Sequence, residues 1–200
     1  MPRATVAWPV MTLLPIALSP ACAGTLPTGA VVVAGKAAVT APSPHAIVVR
    51  QATPRAVVNW SSFDIGQDAS VRFSQPGVGA ATLNVVTGSA PAQLAGSLKA
   101  DGSVFVIDRN GIEITPTGRV DVGAAFVAST LSISPDDFMN GRLRFSGEGG
   151  AVVNRGRIAA GPGGAVALLG GTVGNEGAID APIGRVGLGS ASSATLDLGG

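Results

Sequence analysis

The chain has 200 residues, enough for one domain with a sizeable core, and 46% of them are apolar, as in a globular protein. Only 12% are charged, and 13 basic side chains nearly cancel 12 acidic ones without runs of like sign. That balance argues against a nucleic-acid binder or an anionic-membrane binder, which need a concentrated basic footprint. The 29 glycines point to a turn-rich surface of small residues.

Residues 1–23 read as a secretory signal peptide. Arg3 is the positive start, Ala4–Leu18 the apolar stretch, and Ala21-Cys22-Ala23 the small-residue A-x-A pattern. That pattern puts cleavage between Ala23 and Gly24, and a permanent anchor, the alternative, is disfavoured because the stretch is shorter than the roughly 20 residues of a spanning helix. Cys22 is the only cysteine, so the mature chain, residues 24–200, has none and cannot rely on disulfides. Lipidation at Cys22 is the alternative, against which Leu18-Ser19-Pro20-Ala21 makes a poor lipobox. Removing Arg3 with the signal leaves 12 basic residues against 12 acidic ones.

The mature chain has almost no helical periodicity. Short alternations recur between glycines and asparagines: Val71-Arg72-Phe73, Ile112-Glu113-Ile114 and Val120-Asp121-Val122. Each places two apolar side chains on one face and a polar one on the other. Ala41-Pro42-Ser43-Pro44 reads as a short extended spacer, and His45, the only histidine, as a surface turn residue. Val104-Phe105-Val106-Ile107 reads as a strand buried on both faces, with turns at Asp101-Gly102 and Asn110-Gly111. Ser134 to Gly141 reads as one or two helical turns, with Ser134 as N-cap, Pro135 at the first position and Asp136 and Asp137 at the positive end. It is expected to leave the wall formed by the strands.

The last third repeats. Val153-Asn154-Arg155-Gly156-Arg157-Ile158-Ala159-Ala160 aligns with Gly174-Asn175-Glu176-Gly177-Ala178-Ile179-Asp180-Ala181 at a spacing of about 21 residues. Gly164, Val166 and Leu168 match Gly184, Val186 and Leu188 at about 20. Short strands at that period, with glycine corners, make coils of an all-β parallel β-helix, or solenoid. Asn154 and Asn175 would then stack as part of an amide ladder, the alternative being two surface N-x-G turns. Thr195-Leu196-Asp197-Leu198 reads as a further strand.

Several segments resemble one family. Leu26-Pro27-Thr28-Gly29 with Val32-Val33-Ala34-Gly35, then Asn59-Trp60-Ser61-Ser62-Phe63-Asp64-Ile65-Gly66, are similar to the opening of the filamentous haemagglutinin N-terminal, or two-partner-secretion, domain and to its N-W-x-x-F-N-I-G segment. Leu83-Asn84-Val85-Val86-Thr87-Gly88 resembles its L-N-R-V-T-G, and Leu98 to Ile107 the strand leading into its N-P-N-G-I motif. Val127-Ala128-Ser129-Thr130-Leu131 and Phe145-Ser146-Gly147 follow in the family's order. Asp108-Arg109-Asn110-Gly111-Ile112 keeps Asn110, Gly111 and Ile112 of N-P-N-G-I but replaces its first asparagine and its proline.

The resemblance implies a right-handed parallel β-helix with an N-terminal cap region and small β and helical excursions, occupying residues 24–200 as one domain. It implies a secreted adhesin module that passes through the periplasm. There it is recognised by an outer-membrane β-barrel transporter with POTRA domains, and it then nucleates β-helix folding outside the cell. Asn59, Trp60, Phe63, Asn110, Gly111 and Ile112 become the candidate secretion motif, and a host-cell or surface receptor or glycan the candidate target. An autotransporter passenger would carry the same helix with its own barrel.

The other function class is a secreted carbohydrate-active β-helix enzyme, a polysaccharide lyase or hydrolase. Such chemistry wants carboxylates clustered on one face. Asp136 with Asp137, Asp64 with Asp68, and Asp101 with Asp108 do not recur at a fixed offset. No catalytic residue, metal site or cofactor is therefore assigned: one histidine and no mature cysteine leave most zinc and thiol chemistry without ligands. Trp60, the only mature tryptophan, is expected to pack in the core or an end cap, the alternative being an exposed sugar-binding ring, and Gly161-Pro162-Gly163-Gly164 to form a corner rather than a phosphate loop.

Overall fold

The computed structural model describes residues 25–198. The proposed signal peptide, with Ala21, Ala23 and Gly24, lies outside them.

Among the described residues the chain winds into stacked coils. The first two coils carry two strands each, β3 (Ala46–Gln51) and β4 (Arg55–Trp60), then β5 (Ser70–Ser74) and β6 (Ala81–Val86). The next two carry three each: β7 (Ala92–Leu94), β8 (Ser97–Ala100) and β9 (Ser103–Ile107), then β10 (Ile112–Ile114), β11 (Arg119–Val122) and β12 (Ala125–Ser129). After an excursion, β14 (Ala151–Asn154), β15 (Arg157–Ala160) and β16 (Ala165–Gly170) form a fifth coil, and β17 (Thr172–Asn175), β18 (Ala178–Asp180) and β19 (Arg185–Ser190) a sixth.

Like strands stack in parallel and make three walls. The first wall is β3-β5-β8-β11-β15-β18, the second β4-β6-β9-β12-β16-β19, and the shorter third β7-β10-β14-β17. The expected all-β parallel β-helix is the fold observed. Its repeat follows from register: Ile158 sits on Ile179, Val166 on Val186 and Leu168 on Leu188, the pairs aligned in the sequence.

Two strands close the N-terminal end. β1 (Val31–Ala34) runs antiparallel to β4, and β2 (Ala37–Ser43) antiparallel to β3. Ala41-Pro42-Ser43 is thus strand rather than spacer, and the turn falls at Pro44-His45. Proline is tolerated because β2 is an edge, where its missing N–H breaks no ladder bond. Both cap strands shift register, between Val32 and Ala34 and between Thr40 and Ser43. Such bulges blunt an edge against further pairing.

The interior packs Val58, Trp60, Phe73, Leu98, Val104, Val106, Val120, Phe126, Ile158, Val166 and Leu168. The second wall is buried on its outer face as well. Val57, Leu83, Phe105, Val127 and Leu169 form a second core with Leu131, Ile133, Phe138, Leu143 and Phe145 from the excursion. This explains the unbroken apolar run at 104–107, where Val104 and Val106 face inward and Phe105 and Ile107 outward.

The excursion contains α1 (Pro135–Met139) and β13 (Arg144–Ser146). Ser134 Oγ accepts the Asp137 N–H at 3.0 Å, and Gly141 leaves the helix at φ 77°. The Phe138 ring meets Phe105 edge-on, with centroids 5.1 Å apart. β20 (Ser193–Thr195) does not extend the wall as a strand over 195–198 would. It pairs antiparallel with β13, Phe145 opposite Ala194, and Leu196 and Leu198 pack on the outer core. The apolar outer face of the second wall draws it there.

Candidate functional site

The motif-bearing segments meet at one corner, where the second wall turns toward the third. Trp60 ends β4, Val86 ends β6 with Thr87-Gly88 after it, and Asp108 to Gly111 link β9 to β10. Because Trp60 pairs with Val86 and Val85 with Ile107, these corners lie one above the next.

Side chains and backbone then tie the column together. Trp60 is 1% exposed and donates its Nε1–H to Asn84 Oδ1 at 3.0 Å. Asn84, fully buried, passes the chain upward by donating from Nδ2 to the Phe105 carbonyl at 3.1 Å. The Thr87 hydroxyl and N–H both donate to the Trp60 carbonyl, at 2.9 and 2.8 Å. Asn110 donates from Nδ2 to the Gly88 carbonyl at 2.9 Å. Phe63 is buried and stands edge-on to Trp60, with centroids 5.3 Å apart. Ile112 is buried at the start of β10, and Gly111 has φ 142°, a backbone that favours glycine.

Of the candidate residues, the corner therefore collects Trp60, Phe63, Asn110, Gly111 and Ile112. Asn59 falls on the outer side of β4, in register with Val85 and with Val31 of the cap. Asn154 and Asn175 sit elsewhere, where the third wall turns to the first. They are in register, and Asn154 Nδ2 donates to Asn175 Oδ1 at 2.7 Å. Asn154 Oδ1 accepts the Gly156 N–H at 3.1 Å, so the amide also shapes its own turn.

Two further residues of the corner lie inside family-like segments but are not among the candidate secretion-motif residues. Asn84 is visible as one of two polar residues, with Thr82, in a strand that is otherwise apolar. Asp108 is visible only as a change of residue type. Its carboxyl is fully buried, and Oδ1 accepts the backbone and side-chain N–H groups of Asn110 at 3.0 and 2.9 Å. Burial holds this carboxyl above the usual carboxylate range; the Asn110 hydrogen bonds and the Ala92 backbone N–H oppose the shift, and the Asp64 charge adds to it.

Other acidic groups are engaged at the surface. Asp64 accepts the Gln93 N–H, Asp101 pairs with Arg72, and Asp137 with Arg142. Glu113 and Glu176 share Arg155, and Asp180 reaches Arg157. Among the described residues no three His, Cys, Asp or Glu side chains gather as a metal site. The corner is thus a packing and hydrogen-bonding device, built where three of the family-like segments converge.

The family model of the TPS secretion domain matches residues 23–199. The chain belongs to the TPS secretion domain family. Relatives of this two-partner-secretion domain agree. The heme/hemopexin-binding protein of Haemophilus influenzae is 36% identical over 170 residues, covering 80% of this chain and 18% of that protein. The HMW1 secretion domain of Haemophilus influenzae superposes with a TM-score of 0.79 at 33% identity, covering 84% of this chain and 46% of that one. The chain thus spans about a fifth of the curated relative it matches. As a TPS secretion domain it is a module of two-partner-secreted, adhesin-like exoproteins, which are exported to the cell surface or beyond.

Proposed function

We propose that this TPS secretion domain is the export handle of its polypeptide and the template on which the exported β-helix folds. In this reading a signal peptide, residues 1–23, takes the chain to the periplasm. A cognate outer-membrane β-barrel transporter then engages it there through POTRA domains. The observation that carries the reading is the stacked corner. Trp60, Asn84 and Asn110 each act on a neighbouring coil, so each coil completes the hydrogen bonding of the one before it. A solenoid coupled in this way nucleates at one end and grows by nearest-neighbour stacking.

Transporter recognition is assigned to the unfolded chain. In the folded domain the cap edges are bulged and β2 carries Pro42 next to its last residue, which disfavours adding a partner strand there. Before folding, the β-rich segment from Leu26 to Phe73 presents the same backbone freely to a sheet edge. The module itself is non-catalytic in this reading, because Asp64, Asp101, Glu113, Asp137, Glu176 and Asp180 are held in ion pairs or by a backbone N–H and the described carboxylates do not gather in a cluster. Adhesion to a host receptor or surface glycan belongs to the polypeptide it exports.

The test is co-expression with and without the POTRA-bearing transporter, assaying the medium. Release that requires the transporter is expected, and deleting residues 26–73 should abolish transporter binding. Release without the transporter, or binding that survives the deletion, overturns the reading.

A further inference from the structure

Among the described residues, the other buried polar side chains are satisfied. Where the first wall turns to the second, Gln51, Thr82 and Gln75 form a closed set. Thr82 donates to Gln51 Oε1, Gln75 Nε2 donates to Thr82 Oγ1 at 3.0 Å, and the Gly102 N–H donates to Gln75 Oε1 at 2.7 Å. Ser129, also fully buried, accepts the Leu131 N–H at 3.0 Å.

Asp108 differs. Its Oδ1 holds both Asn110 donors, but its Oδ2 is buried with no hydrogen-bond partner. The residue is locked in place from both sides. Its N–H donates to the Ser129 carbonyl of the coil above at 3.0 Å, and its carbonyl accepts the Gly111 N–H at 3.2 Å. The carboxyl therefore cannot turn its second oxygen to water without opening the corner.

The Ala92 N–H, which donates to the Gly111 carbonyl at 3.0 Å, favours the ionised carboxyl from the side of β7, but burial outweighs it, and among the described residues no charge neutralises the group. Asp64, from the turn after Phe63, acts on it with the same sign. Arg109 and Glu148, of opposite sign to each other, line the open groove outside the corner with Thr87, Gly88 and Asn110, and Asp108 does not line that groove. An unpaired buried carboxylate is among the more costly groups a fold can contain, whereas its protonated form is far less so.

We propose that Asp108 is a pH-linked brake on folding, because closing its corner demands either a proton on the carboxyl or burial of an unpaired negative charge. The proton comes from solvent as the corner closes and returns to it on opening. In the unfolded chain the group titrates near an ordinary aspartate, about 3.9. In the folded chain it titrates higher. Folding is therefore unhindered below the unfolded value, becomes progressively less favourable as pH rises through the window between the two, and stays hindered above it. Each unit of displacement weakens the folding equilibrium about tenfold at neutral pH. For a domain exported unfolded, such a brake delays closure of the third coil before the membrane is crossed. That use rests on the proposed function, while the brake itself does not.

The test is urea unfolding and refolding of the full chain, followed by circular dichroism from about pH 4 to pH 8. Two variants are compared with it: Asp108→Asn, which removes the charge, and Asp108→Ser, which keeps a short acceptor for the Asn110 N–H. At pH 8 at least one variant should unfold at higher urea and refold faster than the wild type, and the difference should shrink toward pH 4. The wild type alone should take up more protons on folding at about pH 5 than either variant. Parallel pH profiles, or equal proton uptake, would overturn the brake. Failure of transporter-dependent release would instead overturn the export reading and leave these measurements untouched.

Discussion

Trp60 and Asn84 show how one pair of residues ties two coils together. The indole fills the interior, yet its N–H must find an acceptor there, because a buried donor left alone costs about 1–3 kcal/mol. Asn84 supplies that acceptor and spends its own donor on the Phe105 carbonyl. Asn84→Leu preserves volume but orphans the indole N–H and removes one donor from that carbonyl. It should lower stability by about 1–3 kcal/mol for each group left unpaired, read as a shift of the urea midpoint at constant slope. An unchanged midpoint would mean that neither group depends on Asn84. The burial of Trp60 follows from its being a large apolar residue in a strand. Its partner, from a strand 24 positions later, is set by register rather than by local pattern.

At the scale of elements, the excursion acts as a clasp. α1 forms locally, as the Ser134 cap, Pro135 and the paired aspartates dictate, but five residues make too short a helix to stand alone. Packing holds it. Phe138 sits on the outer core, and Arg55 of the first coil donates to the Phe138 carbonyl at 3.1 Å with its guanidinium 5.2 Å above the ring. Phe138→Ala should cost about 3–5 kcal/mol and expose the excursion, so limited proteolysis should cut first between residues 131 and 148. Initial cleavage elsewhere would show that the clasp is not held by this ring. Asp137, on the same element, titrates in the opposite sense to Asp108. The Arg142 hydrogen bond holds it below the usual carboxylate range, so its small surface contribution is present at neutral pH and fades as pH falls through its lowered value.

For the whole molecule, the spacing between coils is the controlling dimension. Where the third wall turns to the first, a column of glycines lets backbones approach closely. A Cβ on Gly118 would lie 2.1 Å from the Leu94 carbonyl oxygen, and Gly96, Gly156 and Gly177 stand in equally tight places one coil apart. Gly118→Ala should therefore lower stability on the order of 2–4 kcal/mol, since the two coils must separate to admit the methyl group. Gly79→Ala, facing open space, should leave the unfolding midpoint nearly unchanged. Equal effects at both sites would show that the column does not set the stacking distance. A brake at Asp108 belongs to the same logic, because in a solenoid a coil that closes slowly delays those stacked upon it.

Much of this architecture was legible in the chain alone. The repeat from Asn154 to Leu188 set the coil length, the unbroken apolar run at 104–107 marked a strand covered on both faces, and Ser134 to Gly141 announced a helical turn. Each signal is local, because it rests on alternation, capping or turn chemistry within a few residues. What the tertiary structure decided depends on which coil lies over which. It turned Ala41-Pro42-Ser43 from spacer into cap strand, by offering β3 as a partner, and drew β20 off the wall onto the excursion. It gathered Trp60, Asn84 and Asn110 into one column, and it buried the second oxygen of Asp108. Registers between strands 20 to 40 residues apart determine these outcomes, and side-chain pattern within a single strand does not contain them.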